Sequence, residues 1–187
     1  MSKGALMNRD EALLLVIEHL KSDNLIKHCL SVEACMREFA SKFGEDVEKW
    51  GLAGLLHDLD YQYTVNDPDN HTLKTEEMLK PHNLDSDIIH AIKAHNMKAD
   101  LKSRMDLTLY TVDPTSGFIT ACALMHPSKK LESVDLSRMK KRFKEKSFAK
   151  GANRDQMSEC SRLNLELDEF LQTSLNAMIK IAPDLGL

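Results

Sequence analysis

Hydrophobic positions recur at steps of three and four along most of this chain, the period of an α-helix buried along one face. Asn8 or Asp10 is placed to cap a first helix, whose apolar residues are Leu13, Leu14, Ile17 and Leu20. A second starts at Ser22 or Asp23, carries Leu25, Cys29, Val32, Met36, Phe39 and Phe43 on one stripe, and stops at Gly44. Glu45 and Asp46 open a third, favoured by the positive end of its macrodipole. It runs through Trp50, Leu52, Leu55 and Leu56 to about Leu59. Being apolar nearly all round, it is predicted to be the central helix, and Gly51, Ala53 and Gly54 leave room for a close neighbour.

Residues 61–70, with Pro68 among Asn and Asp, read as a loop. Helices are predicted over 71–80, ended by Pro81, and over 85–95, with Ile88, Ala91, Ile92 and His95 on one face. A polar turn at 98–103 leads into helices over 104–112 and 115–125, with Asp113-Pro114 as the boundary or kink between them. A basic helix over 137–150 and a last one over 163–181 complete the pattern. The expectation is an all-α bundle of roughly nine helices, without an internal linker or repeat.

Composition supports this. Leu, Met, Ala, Lys and Glu, all good helix formers, are plentiful, whereas 7 Gly, 5 Pro and 5% aromatics leave little material for a β-sandwich or barrel. At 42% hydrophobic the chain is not intrinsically disordered. The 25 basic and 29 acidic residues give a net charge of −4, which argues against whole-surface binding to nucleic acid or anionic membrane. Four Cys without a C-x-x-C pair read as free thiols in a reducing compartment. The start, MSKGALMNRDEALLL, has no long apolar leader, and no window approaches the ~20 apolar residues of a membrane span. A cytoplasmic location without membrane association is expected.

The one His-Asp dipeptide, His57-Asp58, ends the apolar run GLAGLLHD. An ionisable pair carried into a core is costly unless it is paired or holds a metal. His28 flanks the stripe of the second helix, His95 lies on the apolar face of its own, and Asp113 precedes Pro114. Each has an ordinary alternative: a core His satisfied by a hydrogen bond, or an Asp capping a helix with Pro at its first position. Together they form a set of imidazoles and carboxylates suited to Mn, Fe, Zn, Ni or Co.

In order, His28, His57-Asp58 and Asp113 match the H…HD…D signature, and the chain resembles the HD superfamily of metal-dependent phosphohydrolases. His71 (NHTLKTEEML) and His95 (IHAIKAHN) fall where binuclear branches carry two further His. DPTSGFITACALMHPSKKL and FKEKSFAKGANRD are similar to a group of predicted bacterial HD hydrolases. The resemblance implies an HD-like bundle as a single domain over 1–187, with a metal-binding core over about 23–125 and a helical extension over about 128–187. It implies one or two divalent transition-metal ions. His28, His57, Asp58 and Asp113 would hold the first, with Asp58 bridging to a second held by His71 and His95. Several binuclear branches continue HD-x-x-Lys or HD-Ile-Gly, whereas this chain reads His57-Asp58-Leu59-Asp60-Tyr61. Asp60 then stands as a general base beside catalytic Asp58, as an acceptor behind a ligand His, or as a solvated acid at a helix end.

Hydrolysis of a phosphomonoester or phosphodiester also calls for groups on the other phosphate oxygens. Asn96, Lys129, Lys130 and Arg154 are the substrate-binding candidates, the substrate being a small phosphorylated molecule such as a nucleotide. The basic run from Arg138 to Lys150 reads mainly as a solvated face, and with only Phe143 and Phe148 in it no stacking platform for nucleic acid stands out. Two other readings stay open: a di-iron oxygenase of the HD type, and a non-catalytic nucleotide-binding module.

Overall fold

A computed structural model describes residues 7–187, and all regular structure among them is helical. The opening residues 1–6, part of the segment read as lacking a leader, lie outside the described residues. No helix among the described residues is long and apolar enough to cross a membrane.

Helix α1 (Arg9–His19) begins with a capping box in which Asn8 accepts from the Glu11 N–H and the Glu11 side chain accepts from Asn8. Its buried face is Ala12 and Val16, continued by Leu20. Leu14 and Ile17 were expected inside but are 66% and 50% exposed. With apolar residues on both sides of this helix, period alone did not choose the buried one.

Helices α2 (Asp23–Phe43) and α3 (Val47–Leu56) are the centre. Every residue of α3 from Trp50 to Leu56 is buried. The two helices touch nearly backbone to backbone: a Cβ on Gly54 would lie 3.0 Å from the Glu33 backbone, and one on Gly51 would meet the Arg37 side chain. At this contact the buried Glu33 carboxylate receives Arg9 Nε at 2.6 Å and Arg37 Nε at 2.8 Å, so its charge is doubly paired.

One-turn helix α4 (Tyr61–Thr64) lies in the stretch expected to be a loop. Helix α5 (Leu73–Leu79) starts two residues later than predicted, and α6 (Ser86–His95) follows. Helix α7 (Arg104–Leu124) corrects the reading of Asp113-Pro114 as a boundary: the helix is continuous and Pro114 lies inside it. Proline removes one N–H and frees the carbonyl four residues earlier. That carbonyl, of Tyr110, accepts instead from Gln156 Nε2 at 2.6 Å.

Basic helix α8 (Leu136–Lys144) ends six residues short of the predicted limit, and residues 145–153 form turns. Two short helices, α9 (Arg154–Ser158) and a 3-10 turn (Glu159–Leu163), lead to α10 (Leu167–Ile179) and α11 (Ala182–Leu185). Helix α10 packs on α2 and α7, with Phe170 stacked on Phe39 at 5.1 Å between centroids. Of the basic face, Lys140 pairs with Asp168 and Arg142 with Glu145, while Met139 is the buried residue of α8. All four Cys are free and buried.

Candidate metal centre

The ends of α3 and α6, the second turn of α2, the middle of α7 and the turn before α5 bring His57, Asp58, His95, His28, Asp113 and His71 to one point. The two oxygens of Asp58 divide the group. Oδ2 lies 3.6 Å from His28 Nε2 and 3.5 Å from His57 Nε2. Oδ1 lies 3.3 Å from His71 Nε2 and 3.7 Å from His95 Nε2. Asp113 Oδ1 sits with the first pair, 3.1 Å from His28 Nε2 and 3.7 Å from His57 Nε2, and the two Nε2 atoms are 3.2 Å apart.

These spacings suit shared ligands. Donors bound to one ion at ~2.1 Å stand roughly 3.0 Å apart at a right angle and roughly 3.4 Å at a tetrahedral one. The orientation of the rings fits as well. His57 Nδ1 lies 2.8 Å from the Gly54 carbonyl and His95 Nδ1 2.6 Å from that of Ile92, oxygens that only accept. His71 Nδ1 lies 2.7 Å from Asp60 Oδ1. His28 Nδ1 lies 3.1 Å from Ser116 Oγ, whose own proton goes to the Asp113 carbonyl. All four rings therefore carry a proton on Nδ1 and turn Nε2 inward, the arrangement of metal-ligating imidazoles with their outer partners.

Burial resists ionisation of Asp58, but the charge of His57 and the bonds from His71 and His95 hold it well below the usual carboxylate range. Burial opposes Asp113 likewise, and bonds from His28 and His57 hold it down. Burial disfavours charge on His71, yet hydrogen bonds to Asp58 and Asp60 push its pKa up to about 9. The same contest, settled by Asp113, raises His28. Protons thus fill places among these donors that a cation would otherwise take.

Asp60 is fully buried. Its Oδ2 accepts from the Thr72 and Thr75 N–H groups at 2.7 and 3.0 Å, and its Oδ1 receives His71. Full burial excludes a solvated acid at a helix end, and with both oxygens engaged the geometry fits the acceptor behind a candidate ligand imidazole better than a general base. Holding the Thr72 amide also keeps that β-branched residue at φ 71°, a strained value that sets the turn presenting His71.

The substrate candidates are placed differently from expectation. Asn96 ends α6 and its Nδ2 reaches the His71 carbonyl at 3.4 Å, bracing the two ligand segments. Lys129 and Lys130 are exposed in the turn beyond the end of α7 at Leu124, itself roughly 16 Å along the helix axis from Asp113. Arg154 turns to backbone carbonyls of the 143–152 segment. Three nearby residues were missed by sequence reasoning or left unassigned. Lys27 lines a groove with His28 and Gly117; Ser116 orients His28; Gln156 lines a cleft with His28 and Asp113. Adjacency to His28 was the only local signal for Lys27, and nothing in the sequence near Gln156 pointed to Tyr110.

The HD domain family matches residues 25–145. Curated relatives are partial and distant. A ribonuclease Y of Nitratidesulfovibrio vulgaris is 34% identical over 98 residues, covering 51% of this chain and 18% of that protein. One of Desulfotalea psychrophila is 28% identical over 135 residues, covering 71% of this chain and 26% of its own. A third, of Mycoplasma mycoides, is 30% identical over 94 residues, covering 50% and 18%. The chain thus spans about a fifth to a quarter of the length of these relatives. No solved structure matches.

Proposed function

The chain belongs to the HD domain family, and from that premise we propose that it is a metal-dependent phosphohydrolase acting on a small phosphorylated molecule such as a nucleotide. The observation that carries this reading is the division of Asp58 between His28, His57 and Asp113 on one oxygen and His71 and His95 on the other. The first group would hold one divalent transition metal and the second another, with Asp58 shared. Metal held there supplies Lewis acidity for the phosphoryl oxygens and makes water a competent nucleophile near neutral pH.

The protein's own groups do the rest. The Gly54 and Ile92 carbonyls, Asp60 and Ser116 fix the four imidazoles before substrate arrives, so little reorganisation accompanies the reaction. His57, with no exposed side-chain surface, closes the inner side of the centre. His28 and Asp113 side chains are 23% and 27% exposed, so substrate enters on their side. Hydrolysis joins water to phosphorus, breaks the ester P–O bond and returns a proton to the departing oxygen.

The curated relatives are named ribonuclease Y, which favours an RNA phosphodiester as a second substrate class. Release of phosphate from nucleotides, and cleavage of single-stranded RNA, with Mn or Fe and with an Asp58→Ala variant beside the wild type, tests both. Metal-stimulated turnover lost in the variant is expected. Turnover indifferent to Asp58 and to metal refutes the assignment, and substrate-dependent oxygen uptake by the iron-loaded protein would move it to an oxygenase.

A further inference from the structure

Between α7 and the segment 145–153 lies a cleft of about 310 Å³, lined by His28, Asp113, Gly117, Ala149, Gly151 and Gln156 among others. It opens on the two most exposed of the proposed ligands, and among the described residues no Lys or Arg lines it. Ala149, Gly151 and Ala152 on it belong to a segment whose carbonyls Arg154 holds. The guanidinium reaches the carbonyls of Phe143, Phe148, Ala149 and Ala152, at 3.3, 2.6, 3.2 and 2.5 Å. It also lies 4.6 Å over the Phe118 ring and 5.6 Å over Phe143. Among the described residues no carboxylate pairs with it, so its charge is met by carbonyl dipoles and ring faces.

In a planar peptide the N–H points opposite to the carbonyl it is joined to. With the Phe148 and Ala149 carbonyls drawn to Arg154, the N–H groups of Ala149 and Lys150 turn away from it. Among the described residues neither N–H has an acceptor. Ala149 is left-handed, at φ 44°, and consecutive amides at such a step form a concavity that binds anions.

We propose that Arg154 is a positioning residue that builds a backbone anion subsite, the Ala149 and Lys150 amides receiving phosphate oxygens of a substrate seated against His28 and Asp113. This rests on the phosphohydrolase reading and replaces the expectation that Arg154 binds substrate itself.

The test compares wild type with Arg154→Lys, which keeps the charge and loses the planar fork. The readouts are hydrolysis of p-nitrophenyl phosphate, calorimetric binding of inorganic phosphate to the metal-loaded protein, metal content, and amide hydrogen exchange. In the variant, KM and the phosphate dissociation constant are expected to rise together by about tenfold, with kcat and metal content nearly unchanged. Phosphate is expected to slow exchange at Ala149 and Lys150 in the wild type only. Unchanged KM and phosphate affinity overturn the role of Arg154, as does metal loss in the variant; unprotected amides in the wild type overturn the subsite. A metal-loaded wild type that neither hydrolyses esters nor binds phosphate overturns the phosphohydrolase reading, and this inference with it.

Discussion

Gln156 Nε2 donates to the Tyr110 carbonyl at 2.6 Å, taking the place of the amide that Pro114 lacks. A buried carbonyl left without a donor costs about 1–3 kcal/mol. This bond therefore supports α7 in continuing through Pro114, with Asp113 in mid-helix. Gln156→Leu is expected to destabilise the protein by about 1–3 kcal/mol in urea unfolding. In a Pro114→Ala background, where the residue-114 amide is restored, the same change should cost much less. Equal costs in both backgrounds would show that the two residues are not coupled.

Asp60→Asn separates the acceptor role of that residue from a general base. The Oδ1 that holds His71 and the Oδ2 that accepts two amides cannot both be replaced by one carboxamide, since its NH₂ end accepts nothing. Loss of a partner behind a ligand imidazole typically weakens metal binding by about 10–100-fold. That loss is expected in a competition titration, with turnover restored by excess metal. Normal metal affinity with abolished turnover would instead make Asp60 a base.

Much of this was legible in the chain itself. The stripe of α2 follows the helical period, α3 is apolar nearly all round, and His57-Asp58 stands out because an apolar run delivers it to the core. What failed to show were the long-range partners. Asp113-Pro114 reads as a boundary in any local window, because the donor that satisfies Tyr110 lies 46 residues away. Arg154 reads as a phosphate ligand because no local pattern reveals that Phe148, Ala149 and Ala152 turn their carbonyls to it. The same captured carbonyls belong to the turns that follow the early end of α8 at Lys144.

At His71, proposed here as a metal ligand, protons and metal would compete. Its pKa of about 9 in the metal-free fold exceeds the ordinary ~6.5 of a free imidazole. The raised value stabilises the metal-free protein fully below about pH 6.5, and that contribution is lost as pH rises through about 9. Metal reverses the sign, because the proton must leave before Nε2 can bind it. Apparent metal affinity is thus expected to climb with pH up to about 9, with proton release at pH 7.5. Calorimetry in buffers of different ionisation heat measures that release; heats independent of the buffer would contradict it.

Two glycines in helices should respond oppositely to one methyl group. On Gly117 a Cβ meets nothing within 4 Å, so Gly117→Ala is expected to gain roughly 0.5–1 kcal/mol from helix propensity alone. On Gly54 the same atom would lie 2.9 Å from Met36 Cγ and 3.0 Å from the Glu33 backbone, and backbone cannot swing aside. Overpacking of about 1–3 kcal/mol then outweighs the propensity gain, and Gly54→Ala should lower the unfolding midpoint. Gly54 also supplies the carbonyl that fixes His57, so pushing α3 from α2 disturbs the centre as well as the core. Metal content should therefore fall in Gly54→Ala and stay constant in Gly117→Ala. Equal midpoints for the two variants would mean that α2 and α3 are not packed this closely.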